Sequence, residues 1–276
     1  MSSSTRISKP RILRATNGEP LTIDQIRHVA PAVFQAAPSG EVSERYAYIP
    51  TIEVLQGLLE EGYTVHEVAQ ASSHTRDKHL YSKHMLRMRP PGPKRELKAR
   101  DATPEIVLIN AHDGSARYHL YSGLYRFICC NGLVVGDTFA SIVVAHRGIL
   151  TKSVVIEGSY TIVKEQFPRV LDLKDRMMEK QTTPEGRFFL ANNALHLRYP
   201  GQVPAFTPGQ LLAPRRHEDS GDDIWSVLNR VQENVMEGGF QSLSPWGRRT
   251  NIRPITQVGK RVDINRGLWM AAETLL

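Results

Sequence analysis

The side chains able to do metal or hydrolytic chemistry are the histidines, a cysteine pair and one acidic run, and their spacing argues against each. His74, His79 and His84 follow one another at intervals of five residues. That interval turns successive side chains by about 140° on a helix and places them on opposite faces of a strand, so the three do not converge on an ion. His66-Glu67 lacks the second histidine, one helical turn on, that a zinc-protease helix requires. His217-Glu218-Asp219, followed by Asp222-Asp223, offers carboxylates for a divalent ion. The plainer reading is an acidic helix start, where negative side chains meet the positive end of the helix dipole.

Cys129 and Cys130 are adjacent within an apolar run, a placement that disfavours a mutual disulfide and reads as buried, reduced thiols. The stretch Asn131-Gly132-Leu133-Val134-Val135-Gly136-Asp137 lacks the spacing and the Lys-Ser/Thr of a nucleotide cradle and reads as a turn, and no Gly-x-Ser-x-Gly elbow is present. No catalytic residue, metal ligand or cofactor is therefore expected, and an enzyme is the minority reading.

The basic residues point elsewhere. The chain carries 35 Lys and Arg against 28 Asp and Glu, a formal charge of +7 over 276 residues, which suits a polyanionic partner. Between residues 76 and 100, nine cations (Arg76, Lys78, Lys83, Arg87, Arg89, Lys94, Arg95, Lys98 and Arg100) face two acids, Asp77 and Glu96. Cations at such intervals can neutralise successive phosphates and release their counterions, and Tyr81 among them offers a ring for a base. A second group, Arg248, Arg249, Arg253, Lys260, Arg261 and Arg266, lies near the C-terminus with Trp246 before it. Arg126 completes the expected nucleic-acid-binding set, with Trp246 as a stacking ring and Trp269 as a core residue. Replacing Arg87 and Arg89 by alanine is expected to weaken binding without unfolding the chain.

Residues 1–20 are Ser-rich and basic and read as a flexible arm, residues 21–215 as an α+β core, and residues 216–276 as a helical, basic segment packed on it. Thr22 is a cap for a short helix, and Pro50-Thr51 opens another with Ile52, Leu55, Leu58 and Leu59 at helical spacing, ended by Gly62. Residues 45–49, 63–69, 105–111, 117–121 and 139–145 read as strands, and Asp113-Gly114 is the strongest hairpin signal. Residues 89–95 read as a Pro-rich loop. Tyr121 to Cys130 fits either a strand or a buried helix, and the recurrence of Leu120, Leu124 and Ile128 favours helix. Residues 163–179, 185–197 and 223–236 carry helix-length patterns. The resulting fold class is α+β, a mostly antiparallel sheet in the first half with helices packed on it and a helical C-terminal half. No run of about 18 apolar residues or signal-peptide pattern is visible, so a cytoplasmic protein with no membrane partner is expected.

The residues Leu120-Tyr121-Ser122-Gly123-Leu124-Tyr125-Arg126 through Cys129-Cys130-Asn131-Gly132-Leu133-Val134-Val135-Gly136-Asp137, preceded by Ile109-Asn110-Ala111-His112-Asp113-Gly114, resemble an uncharacterised family of plasmid- and prophage-encoded proteins. Ile255-Thr256 and Asn265-Arg266-Gly267-Leu268-Trp269 fit its C-terminal end, so the likeness spans residues 40–276. It implies a mobile-element setting and brings no assigned activity. By fold-level analogy the strand-rich half followed by helices is similar to Rad52-like annealing proteins. The leading expectation is a single-stranded DNA-binding protein that anneals strands, forms homo-oligomeric rings or filaments, and accepts duplex or RNA as variants of that ligand. The alternatives are an anti-defence or host-interaction protein docking an acidic partner, and a metal-dependent nuclease built on the carboxylates from Asp219 to Asp223.

Overall fold

In a computed structural model, the structure describes residues 11–16, 18–44, 46–73, 76–92, 102–126, 131–134, 141–144, 152–204, 206–243 and 249–276. The chain is α+β. Its centre is an antiparallel sheet of seven strands: β1 (Arg11–Arg14), β2 (Thr64–Gln70), β3 (His84–Arg89), β4 (Ala102–Asn110), β5 (Tyr118–Arg126), β6 (Asn131–Val134) and β7 (Ser141–Val144). They lie in the order β1-β2-β3-β4-β5-β6, with β7 pairing the other end of β5.

Local chemistry explains the elements that frame this sheet. Thr22 and Gln25 form a reciprocal capping box that starts α1 (Ile23–Val29). Helix α2 (Thr51–Glu60) buries Val54, Leu55 and Leu58, and stops where Gly62 adopts φ +86°. The β4–β5 hairpin turns through Asp113-Gly114, with Gly114 at φ +77° and the Asp113 carboxylate accepting from the Ser115 amide. Asp223 caps α8 (Ile224–Glu237) by accepting from the Ser226 amide at 2.9 Å.

Side chains alternate across the strands, and helices cover both faces. On one face Val68, Leu86, Met88, Ile106 and Leu108 pack with Ile26 of α1, Leu55 of α2 and Val155 of α4 (Lys152–Thr161). On the other, Ala69, Met85, Val107, Ile109 and Tyr121 meet Val258 and Val262 of α9 (Val258–Glu273). The helical half gathers α5 (Phe167–Glu179), α6 (Pro184–Arg198), the short α7 (Pro208–Leu212), α8 and α9 around Trp225 and Trp269, and Leu124 of β5 joins that cluster. Trp269 is fully buried, as the sequence suggested.

Several local expectations need correction. Tyr121–Arg126 is strand, not helix. A separation of four residues returns to the same face on a strand as well as on a helix, so Leu120 and Leu124 could not distinguish the two, and burial on both faces removed the alternation that would have. The former helix span beyond Arg126, with Cys129 and Cys130, lies outside the described residues. Residues 46–49 form no strand: Tyr46 and Tyr48 instead donate their hydroxyls to the Ala111 and Gln35 carbonyls at 3.0 and 2.6 Å. Strand β3 ends at Arg89, inside the stretch read as loop, and β1 lies within the span read as a flexible arm.

Candidate nucleic-acid interface

Four of the expected phosphate-binding cations, Arg87, Arg89, Arg126 and Arg261, are engaged inside the fold. Arg87, with 3% of its side chain exposed, donates to Glu105 at 2.8 Å, and Arg89 reaches the other oxygen of the same carboxylate at 3.1 Å while lying over the Tyr125 ring. Glu105 itself is wholly buried. One strand away, Glu67 accepts from Arg14 at 3.1 Å and faces Arg261 of α9 at 3.5 Å. Burial works to raise the Glu67 carboxyl, and the guanidiniums of Arg261, Arg14 and Arg87 overcome it, so its pKa lies below the ordinary carboxylate value. Arg126 grips Asp219 with two donors, at 3.2 and 2.7 Å, both side chains buried. Arg87, Arg126 and Arg261 therefore face the protein's own acids inside the fold rather than a row of phosphates, and Arg89 is largely committed in the same way.

The remaining expected residues divide by location. Lys78 is exposed and paired with Glu41 at 2.9 Å. Arg249 and Arg253 are exposed, and Tyr81, Lys83 and Lys260 are half-buried. The backbone of Arg76 opens the single turn α3 (Arg76–His79). Lys94, Arg95, Lys98, Trp246 and Arg248 lie outside the described residues.

The acidic run does not assemble an ion site. Asp219 is held by Arg126, Asp222 pairs with Arg187 at 2.7 Å, and Asp223 is the cap of α8, accepting also from the Ser226 hydroxyl at 2.8 Å. Among the described residues no three His, Cys, Asp or Glu side chains come together as metal ligands.

Two histidines meet instead in a buried polar chain that the sequence did not reveal. Thr51, the first residue of α2, places its hydroxyl 2.8 Å from His84 Nε2, 2.9 Å from His112 Nε2 and 3.0 Å from the donating Asn110 amide. The Ser82 carbonyl, 3.0 Å from His84 Nδ1, can only accept, which assigns the ring hydrogen to Nδ1 and leaves Nε2 to accept from Thr51. The Thr51 proton is then committed, so His112 donates to it through Nε2. At the far end of the chain His112 Nδ1, 3.2 Å away, and the Gln35 carbonyl, 2.6 Å away, compete for the one hydrogen of the Tyr48 hydroxyl. Burial lowers the His84 pKa to about 4 against the raising effects of the Ser82 carbonyl and Asp113, and keeps the ring neutral. Thr51, His84, Asn110 and His112 are fully buried, and the chain pins α2 to β3 and β4.

One basic surface stays open. Lys83, at the start of β3, and Arg117, before β5, face His119, as does Arg266 of α9. Burial lowers the His119 pKa, and the fields of Lys83, Arg117 and Arg266 lower it further. Its ring lies parallel to that of Tyr121 at 5.5 Å, with Nδ1 3.0 Å from the Tyr121 hydroxyl, and Arg266 sits over the other ring at 5.2 Å. A methyl group built at Gly259, the neighbour of Lys260, would lie 3.8 Å from Lys83 Nζ, so the start of α9 borders the same surface. Lys83, Arg117 and Lys260 form no salt bridge among the described residues. Arg117 and His119 were missed as site residues because nothing local marks them: strand pairing and the return of α9 bring them to Lys83 and Arg266.

No helix among the described residues is long and apolar enough to cross a membrane. Two proteins of Escherichia coli K12, "UPF0380 protein YfjQ" and "UPF0380 protein YafZ", are each 37% identical to the chain over 257 residues, covering 93% of it and 92% of the relative. No solved structure matches. The model of a domain of unknown function, DUF932, matches residues 38–269, and the chain belongs to that family.

Proposed function

We propose that the protein binds the phosphate backbone of single-stranded DNA across the surface formed by Lys83, Arg117, Lys260 and Arg266. The observation that carries this reading is the convergence of three cations on His119, on a face where Lys83 and Arg117 form no salt bridge among the described residues. Cations unmatched by the fold's own acids are the ones available to displace counterions from a polyanion. The half-exposed ring of Tyr81, two residues before Lys83, supports a preference for unpaired strands, whose bases are free to stack.

Fluorescence anisotropy with labelled single- and double-stranded oligonucleotides at two salt concentrations tests the reading. Tight binding of the single strand that weakens steeply with salt supports it; equal or stronger duplex binding removes the strand preference. Absence of binding to both overturns it and leaves this surface to an acidic protein partner. Strand annealing in rings or filaments adds a requirement for self-assembly, which light scattering with and without oligonucleotide measures.

A further inference from the structure

The same surface contains a titratable ring whose charge a bound strand would change. The charges of Lys83, just before β3, Arg117 of the hairpin and Arg266 of α9 act on His119, and Tyr121, its hydrogen-bond partner, also feels Asp263. Arg266 donates to the Tyr121 hydroxyl. The Tyr121 hydroxyl also lies 3.0 Å from His119 Nδ1, and its oxygen can accept from Arg266 while its hydrogen goes to that nitrogen. In that arrangement the neutral ring carries its hydrogen on Nε2. Protonation at Nδ1 needs only that the Tyr121 hydroxyl turn, so that its oxygen accepts from both neighbours.

We infer, resting on the nucleic-acid reading, that strand binding is coupled to uptake of one proton by His119, which then adds a cation to the phosphate-facing surface. The physical cause is reciprocal. Burial first, and then the charges of Lys83, Arg117 and Arg266, disfavour a charge on His119 in the free protein, and phosphates laid across those cations offset their part of that field. A group that is easier to protonate in the complex makes binding tighter as pH falls, by about tenfold for each unit by which its pKa rises on binding. Each additional phosphate contact also steepens the salt dependence, by about 0.7 in the logarithmic slope for a single strand.

The test is oligothymidylate binding by wild type and His119→Gln at about pH 8 and about pH 6, on either side of the ordinary histidine value. Wild type should bind severalfold tighter with a steeper salt slope at the lower pH, and in His119→Gln the ratio between the two conditions should fall to about one. A ratio unchanged by the substitution overturns the proton coupling while leaving the nucleic-acid reading intact; no binding at either pH overturns both. An independent measurement on the wild type, NMR titration of the His119 ring with and without oligothymidylate, should show its midpoint moving upward on binding. An unmoved midpoint refutes the coupling even where the variant folds poorly.

Discussion

Arg87 donates to Glu105 across two neighbouring strands, at 2.8 Å, inside a sheet covered on both faces. That contact reverses the meaning of a basic residue. In the sequence Arg87 belongs to a run of cations suited to phosphate; in the fold it is an interior counterion, and Glu105 binds Arg89 as well.

Replacing Glu105 by alanine should therefore cost stability rather than binding, on the order of 3–5 kcal/mol, because it strands the buried Arg87 charge. Arg87→Ala with Arg89→Ala should likewise destabilise the fold, contrary to the expectation from sequence. Replacing Arg87 and Glu105 together by Met and Leu should be milder than Glu105→Ala. Urea unfolding with a double-mutant cycle checks the order.

Lys78→Ala removes an exposed ion pair with Glu41 and should shift stability by less than about 1 kcal/mol. Lys83→Glu with Arg117→Glu should also leave the fold intact while abolishing salt-dependent strand binding. Anisotropy beside circular dichroism separates the two effects.

Stability should fall on the acid side between the unfolded and folded histidine values. His66 and His84 are both lowered to about 4, burial being the first cause in each and the Arg89 charge the second for His66. Their folded forms resist protonation while the unfolded chain takes up protons near pH 6.5, so unfolding binds protons as pH drops from 6.5 towards 4. His84 alone corresponds to about 3 kcal/mol over that window. Urea midpoints measured from neutral pH downward should decline throughout it and level off above pH 7.

Thr51→Val keeps the shape of the side chain and deletes the oxygen that three polar groups share. It should cost about 1–3 kcal/mol, since His84 and His112 lose a buried partner, whereas Thr51→Ser should cost much less. Thermal melts of the two variants give the comparison.

The parts of this molecule written in local patterns were readable from sequence: the Thr22 cap, the α2 stripe, the Asp113-Gly114 hairpin and the α8 start at Asp223. The β3 strand was not, because Arg87 and Arg89 look solvent-bound until Glu105 on the neighbouring strand supplies their counter-charge. Strand β5 was obscured by its own burial, with Leu120 and Leu124 spaced as either element allows. The basic surface around His119 was the least legible. Its members lie on β3, the hairpin and α9, and Arg266 reaches them only through tertiary packing.

Two of the charge contacts have long reach along the chain: Arg126 and Asp219 are 93 residues apart, and Glu67 and Arg261 are 194 apart. A nascent chain completes β2 and β5 well before Arg261 and Asp219 are made, and until then Glu67 has Arg14 as its ion-pair partner. Helix α9 then supplies Arg261 and covers the second face of the sheet with Val258 and Val262. Fragments ending before residue 219 should remain loosely ordered and protease-sensitive, which makes the C-terminal segment the lock of the fold rather than an appendage to it.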